Sequence, residues 1–476
     1  MNLAFLFVGL VALTRLPFRS AYLFNWDAAN FALALQHYDV RLHQPHPPGY
    51  PLYVGVAWLF NQAVHEPNAS LVLVSVLLEC VAVAAVYLLG RAWLGVWPAV
   101  AAALALLCSV TFWSYGGIAL AYPALAAVST LLALLVYQTR FEGRNRLVAA
   151  AAVYGLGAGF RPDLAVFLLP LLVFGAWRQP IGRLVPAGVV AVGGIALWLV
   201  PAMMLSGGPA EYLAVFTAYA GTDVVARYAP TSTGLTGLLV NITDTALYLG
   251  YALYACVVLV AGALVLAWRR PHPSEWPRYL LLAVWVAPMG LFYLLVHIGD
   301  PGYVFGILPA LLLAGASGWR VVAGPKPSEV MQTVLASGMA LALLANTMLF
   351  FLYERPLTFW GVRQNDRSVA ARIIYLRTLP PESVLVVTYD SFKQLKHYLP
   401  EYTNSVWLDT KTPTRQVFPV PAGVTSVVLT DPSVFALAQA LPAEAEDLAG
   451  ETWAARLTVR SGQSLVYEGG RLRVEP

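Results

Sequence analysis

Charge is what this chain is short of. Asp, Glu, Lys and Arg supply 11% of its 476 residues, against 59% hydrophobic, and the mean hydropathy is +0.67. Soluble domains carry about 25% charged residues. The scarcity therefore excludes a water-soluble globular protein and leaves a polytopic membrane protein. The net charge of +4 is small and sits mostly in short basic loops, so it bears on orientation in a bilayer and implies no nucleic-acid partner. Cysteine is nearly absent too. Cys80, Cys108 and Cys256 stand apart inside apolar segments, with no paired or metal-ligand spacing, and read as small buried hydrophobes. The apolar start, Asn2 to Leu13, has no basic leader before it and no small-residue cleavage site after it. It is expected to be a retained first span.

What is present is a series of apolar runs near the length of about 17 to 25 residues that a span needs. They lie near 2–17, 50–65, 70–90, 97–113, 118–138, 147–160, 164–177, 184–205, 243–268, 279–298, 303–319 and 329–353. Basic loops set the sides. Arg140, Arg144 and Arg146, then Arg178 and Arg183, then Arg269, Arg270 and Arg278, then Arg320 and Lys326 belong inside. The turns at 161–163, 206–241 and 299–303 then lie outside. Four full crossings between Pro51 and Gln138 would put Arg140 on the wrong side, so one of those segments should not span. The Pro- and Gly-rich start after His46 makes the first of them the candidate for a broken or re-entrant piece. The expected fold is an α-helical polytopic membrane protein of about eleven crossings with a small C-terminal α/β domain. Residues 1–354 form the membrane domain, with a first outside loop at 18–50. Residues 355–476, where charges and short β-branched runs appear, form a soluble domain on the outer face. Within it, Asp366 to Leu376 reads as an amphipathic helix and Ser383 to Thr388 as a buried strand. Val424 to Leu429 reads as another strand, followed by a helix near Val434 to Leu441, and Arg456 to Val474 as a closing hairpin. That domain has no Gly-rich phosphate loop, metal spacing or nucleophile signature.

Ionisable groups beside lipid are functional by default. The run from Asn25 to Tyr53, N-W-D-A-A-N-F-A-L-A-L-Q-H-Y-D-V-R-L-H-Q-P-H-P-P-G-Y-P-L-Y, sets Asp27, Asp39, Arg41, His43 and His46 between two apolar segments. Asp27 suits a general base or the N-cap of an interfacial helix. Position alone does not separate the two; the neighbouring cluster favours function. Asp39 reads as a cap or a partner of Arg41. His43 and His46 lack the spacing of a metal pair and suit an anionic headgroup or the orienting of a carboxylate. Pro47, Pro48, Gly49 and Pro51 are expected to fix an extended approach lined by Tyr50 and Tyr53. Arg161, beside Asp163 at a short outside tip, suits a phosphate, with snorkelling as the bland reading. His297, Asp300 and Tyr303 form a second tip for which a tight turn is a strong structural reading. Arg227 and Asp223 lie in the longest outside loop, which is roomy enough to cover a substrate. Glu79, inside a span, should be paired or protonated.

The acidic first loop, the H-P-P-G-Y-P-L-Y run at His46 to Tyr53, and the F-W-S and A-L-A-Y-P pieces between Phe112 and Pro123 resemble the C-type (GT-C) membrane glycosyltransferases. The likeness is to the protein O-mannosyltransferase and aminoarabinose transferase branch. It covers roughly the membrane part, and the H-P-P motif is its most specific piece. It implies a polyprenyl-phosphate sugar as donor, bound at the outer face, and an aspartate of the first outside loop as the base, here Asp27. Relatives often carry a second acid soon after the first, where this chain has Ala28 or Asn30. Another often sits near the fifth span, where this chain has Leu120. The departures leave Asp27 alone and weaken a metal-assisted mechanism, so no cofactor or metal is expected. The expected activity is sugar transfer to an acceptor hydroxyl on a glycan, lipid or protein, with Arg161, His46 or His297 holding the lipid phosphate. A lipid-linked-sugar flippase and a non-catalytic scaffold are the alternatives. The Ala-, Leu-, Val- and Trp-rich composition suggests a bacterial inner membrane with the site facing the periplasm.

Overall fold

Proline sets where many of the helices begin. The computed structural model describes residues 3–254, 256–269, 272–324, 328–410, 414–431, 434, 437 and 444–476. Pro occupies the first helical position of Pro51–Val64, Pro67–Leu94, Pro123–Phe141, Pro209–Tyr219 and Pro230–Leu253. There its missing N–H is one the helix would leave unpaired anyway, and its fixed φ is already helical. Chain contacts divide the protein into two compact units, Met1–Arg19 with Ala34–Trp360, and Ser20–Leu33 with Gly361–Pro476.

The first unit is helical. Among the described residues, Pro67–Leu94, Pro123–Phe141, Ile181–Leu205, Pro273–Leu295 and Glu329–Leu352 are long and apolar enough to cross a bilayer. Val96–Cys108 and Val110–Gly116 would make a sixth span, bent by 64° at Ser109, and five further apolar helices are shorter. Pro51–Val64 has 14 residues, about 21 Å at the α-helical rise, well short of a hydrocarbon core of about 30 Å. Residues 206–241, expected as a long loop, are instead mostly helical, through Pro209–Tyr219 and the start of Pro230–Leu253. Their Ser, Thr and Asp content imitates a loop, while Pro209 and Pro230 start helices. The apolar run expected at 243–268 is divided, its second part forming Val257–Arg269. That helix meets Leu308–Ala323 backbone to backbone: a Cβ on Gly318 would overlap the Gly262 carbonyl. Small residues permit this approach between helices in lipid.

The second unit holds two sheets. Strands β1 (Val384–Thr388), β2 (Ser405–Trp407), β3 (Gln416–Pro419), β4 (Ser426–Leu429), β5 (Glu444–Leu448), β6 (Thr452–Thr458), β7 (Ser464–Glu468) and β8 (Arg471–Glu475) form a five-stranded sheet ordered β2-β1-β4-β6-β5 and a three-stranded sheet ordered β3-β7-β8. β1 pairs in parallel with β2 and β4. The β7–β8 hairpin turns on Gly469 and Gly470 with φ of 57° and 76°, positive values that a type I′ turn demands at both positions. The amphipathic helix expected at 366–376 lies within Phe359–Arg377. The helix expected near 434–441 falls largely outside the described residues, as do Arg270 and Lys326.

Ser20–Leu33, which is part of the expected loop at 18–50, is stitched into this second unit. Asp366 accepts from the Ser20 hydroxyl at 2.6 Å, the Ala21 N–H at 3.0 Å and the Tyr22 N–H at 3.1 Å. Gln394 donates to the Leu23 carbonyl at 2.6 Å, and the Leu23 N–H donates to the Tyr398 hydroxyl at 2.8 Å. A carboxylate accepting several N–H and O–H donors is a strong tether, because charge-assisted hydrogen bonds are roughly twice as strong as neutral ones.

Candidate functional site

In the helical unit, chain reversals carry tyrosines onto one buried arginine. Helix Leu147–Gly157 closes with a tightened turn, the Gly159 N–H donating to Leu156 O at 2.9 Å. Pro162 then biases Arg161 away from helical geometry. The Leu52 N–H donates to Gly159 O at 2.8 Å, tying the H-P-P-G-Y-P run to this turn. Arg161 is only 2% exposed. Its Nη2 and Nε reach the Asp163 carboxylate at 3.0 and 3.4 Å. The guanidinium carbon lies 4.5, 5.1 and 5.6 Å from the ring centres of Tyr122, Tyr303 and Tyr50. Ring faces attract a cation, and more strongly where water is excluded.

Each tyrosine is fixed by its own surroundings. Tyr50 has a left-handed φ of 46° ahead of Pro51, and its hydroxyl is 3.1 Å from His46 Nε2. Tyr122 immediately precedes helix Pro123–Phe141. Tyr303 sits in a short 3-10 turn, Pro301–Gly306, capped by Asp300, which accepts the Gly302 N–H at 2.9 Å. The Tyr115 hydroxyl donates to the same Asp300 carboxylate, and Tyr293 donates to Tyr303 O at 2.6 Å. His297 packs between Tyr228 and Tyr303, with ring centres 4.3 and 5.8 Å away.

The electrostatics favour one fixed positive charge. Burial opposes the charge on Arg161, but the Asp163 carboxylate beside it holds its pKa above the ordinary arginine value. Burial pushes Tyr303 up to about 12 and His297 down to about 4, so both are neutral at pH 7. The result is a permanent cation in a low-dielectric setting among neutral hydroxyls. Asp163 engages its Nε and Nη2 edge, and a guanidinium fork of this kind suits a phosphate oxygen pair. Beside the turn that holds Leu52, a groove of about 330 Å³ runs between helices Pro51–Val64 and Ile181–Leu205, with Leu35, Tyr38, Leu52, Trp58, Leu197 and Trp198 among its lining.

Asp27 belongs to the second unit. It is half-buried in the first turn of helix Trp26–Ala34. The cap of that helix is Asn25, whose Oδ1 accepts the Ala28 N–H at 3.0 Å and whose carbonyl accepts the Ala29 N–H at 3.1 Å. The capping role open to Asp27 in the sequence is thus taken by Asn25. Its carboxylate stands where the helix dipole favours a negative charge.

The other sequence candidates are placed differently. Asp39 is held by Arg41 through contacts of 2.7 to 3.1 Å. Those hydrogen bonds first, and the charge of Arg41 with them, keep its carboxyl below the usual range. His43, with φ 54°, lies edge-on to Tyr219 at 6.1 Å. The approach expected to be extended turns back on itself, the Gly49 N–H donating to His46 O at 3.0 Å. Tyr53 is fully buried and does not line the cage: its hydroxyl bonds Leu71 O at 3.2 Å and Ser75 Oγ at 3.1 Å, joining two helices. Arg227 pairs with Asp223 at 3.4 Å on an exposed face. Glu79 finds the partner that the sequence did not identify in Arg15, at 2.6 Å with both side chains fully buried. Tyr122 and Tyr115, missed as site residues, lie within the F-W-S to A-L-A-Y-P segment.

Comparison with known proteins adds to this geometry. Residues 45–205 match the family described as dolichyl-phosphate-mannose-protein mannosyltransferase, a stretch that includes His46, Tyr50, Tyr122 and Arg161. The crystal structure of ArnT from Cupriavidus metallidurans bound to undecaprenyl phosphate aligns over 96% of this chain and 98% of its own, with TM-score 0.62 and 13% identity. The apo form of ArnT aligns over 95% and 97%, with TM-score 0.55 and 12% identity. The Archaeoglobus fulgidus oligosaccharyltransferase in complex with Zn and sulfate aligns over 90% of this chain and 68% of its own, with TM-score 0.50 and 16% identity. No curated protein matches the sequence. At these identities the structural likeness is one of fold.

Proposed function

We infer that this chain, which resembles the C-type membrane glycosyltransferases in sequence over 45–205 and in fold over nearly its whole length, is itself a membrane glycosyltransferase. It moves a sugar from a polyprenyl-phosphate donor to an acceptor hydroxyl at the outer face of a bacterial inner membrane. The observation that carries this reading is the buried Arg161, ringed by Tyr50, Tyr122 and Tyr303 at the end of the H-P-P-G-Y-P run. In the reaction the acceptor oxygen bonds to the anomeric carbon of the sugar as its proton passes to the Asp27 carboxylate. The bond between that carbon and the phosphate oxygen breaks, and the polyprenyl phosphate leaves with the electron pair. Arg161 stabilises the negative charge on the departing phosphate, as preorganised cations do where charge develops. His46, hydrogen-bonded to Tyr50, positions that ring. His297, kept neutral by burial, adds a polar group without a second charge. The apolar groove beside Leu52 suits the isoprenoid tail.

The scaffold reading draws on one observation. The positions where relatives often carry a second acid are Ala28 and Asn30 here, so no second carboxylate assists Asp27 from them. Transfer of label from a panel of polyprenyl-phosphate sugars, by wild-type and Asp27→Asn protein in membranes containing native acceptors, separates the readings. Label moved by wild type alone supports the transferase with Asp27 as base. Transfer that survives Asp27→Asn rejects that base, and lipid binding without any transfer rejects the enzyme in favour of the scaffold.

A further inference from the structure

The second unit carries an aromatic surface at the edge of one of its cores. β2, β1 and β4 run parallel. The chain passes from β1 to β2 on one flank while β4 lies on the other, so β1 borders a topological switch point. Ligands of open α/β sheets bind outside the carboxyl ends of the strands at such a point. Between β1 and β4 the place is already filled. Asp431 accepts the N–H groups of Tyr389 at 2.6 Å and Ser391 at 3.1 Å and the Ser391 hydroxyl, and pairs with Arg372 at 2.9 Å. The chain thus supplies its own anion at this position.

On the β2 side the surface turns aromatic. Trp407 ends β2 and is 43% exposed. It lies nearly parallel to Tyr389, at 9° and 6.5 Å between ring centres. Trp26 lies 5.9 Å from Trp407 and stacks on Phe392 at 6.3 Å and 25°. Lys393 Nζ is 5.8 Å from the Trp26 ring, and Asp27 is the next residue in the chain. Trp26 and Trp407 belong to neither packed core of this unit, while Tyr389 packs at the edge of one of them, so the three rings form a run of aromatic surface at the ligand-binding ends of parallel strands. A pyranose ring matches such a surface. Its C–H groups, slightly positive, stack on the negative face of an indole, while its rim of hydroxyls bonds to carboxylates and amines.

We propose that Trp407 and Trp26, with Tyr389 beside them, form a carbohydrate-stacking platform that seats a pyranose ring of the acceptor at Asp27. The word acceptor rests on the transferase reading; carbohydrate binding by the platform does not. Saturation-transfer NMR on the full chain in nanodiscs tests it, with methyl glucoside, methyl galactoside, methyl mannoside and maltotriose as probes. The expected result is saturation of sugar ring protons, weakened about tenfold in affinity by Trp407→Ala and largely restored by Trp407→Phe. Trp453→Ala, which removes a similarly exposed indole on β6, should leave it unchanged. In the transfer assay Trp407→Ala raises the KM for a saccharide acceptor by about the same factor and leaves the Kd for undecaprenyl phosphate unchanged. Absence of saturation from every probe, or full binding by Trp407→Ala, overturns the platform. Trp407-dependent binding in a protein that transfers no sugar supports the platform and removes the transferase reading instead.

Discussion

Replacing Arg161 by Met removes the charge while keeping an apolar stem of similar length among the tyrosines. Because Arg161 is only 2% exposed, a phosphate reaching it meets the guanidinium with little water between them. A hydrogen bond to a charged group contributes about 1.5–3 kcal/mol. A forked contact makes two, but the hold of Asp163 at 3.0 Å and the dehydration of the phosphate offset part of the gain. A net loss of about 1.5–3 kcal/mol corresponds to a roughly 10- to 150-fold rise in Kd. Arg161→Lys keeps the charge and loses the planar fork, so its effect should be intermediate. Asp163→Asn has the opposite sign: it removes the anion that competes for the guanidinium and should tighten phosphate binding even as it lowers the unfolding temperature. Titration of undecaprenyl phosphate into nanodisc-embedded protein, read by native mass spectrometry, gives all three affinities, with thermal unfolding recorded in parallel. If Arg161→Met binds the lipid as wild type does while unfolding earlier, Arg161 is a structural anchor and the phosphate assignment fails.

Gly302→Ala would drive a Cβ into the Tyr122 ring and displace one wall of the cage; weaker undecaprenyl phosphate binding is expected, whereas Gly221→Ala, which meets open space, should change nothing. Arg15 and Glu79 are both fully buried, so Arg15→Met or Glu79→Gln alone should cost about 3–5 kcal/mol and the pair together much less; additive losses in unfolding experiments would contradict this. Burial lowers the His297 pKa from 6.5 to about 4, so over that interval the unfolded chain binds more protons than the folded one. Stability should therefore fall as pH drops from about 6.5 to about 4 and be insensitive to this group above about 7. His297→Gln should flatten that part of the curve of unfolding temperature against pH, and coincident curves for the two proteins would count against the assignment.

The helical character of the first unit, and its Pro- and Gly-punctuated runs, were legible because apolar length and helix-start residues are local signals. So was the pairing of Arg161 with Asp163, two residues apart. The cage was partly legible in a way that only its geometry makes plain. Tyr50 lies between Gly49 and Pro51, Tyr122 precedes Pro123, and Tyr303 follows Pro301 and Gly302, so each cage tyrosine marks a chain reversal. Convergence of those reversals depends on helix packing, which leaves no periodic trace. The same holds for Arg15 and Glu79, 64 positions apart. Strand β5, E-A-E-D-L, shows four exposed residues and one buried and lacks the alternation by which a strand is recognised. The expected loop at 206–241 failed for the reverse reason, its polar residues lying on helices that two prolines begin.

The stitching of Ser20–Leu33 to Gly361–Pro476 fixes a parity. A chain that leaves this unit at Ala34 and rejoins it at Gly361 must come back to the face of the bilayer from which it departed. An even number of crossings therefore lies between them, whatever the short or bent helices do individually. Gaining or losing a single crossing would strand Asp366 on the far side of the hydrocarbon from Ser20. The same tether orders biosynthesis. Ser20 emerges from the ribosome 346 residues before its carboxylate partner, so this hydrogen bond can form only after nearly all of the first unit has been synthesised.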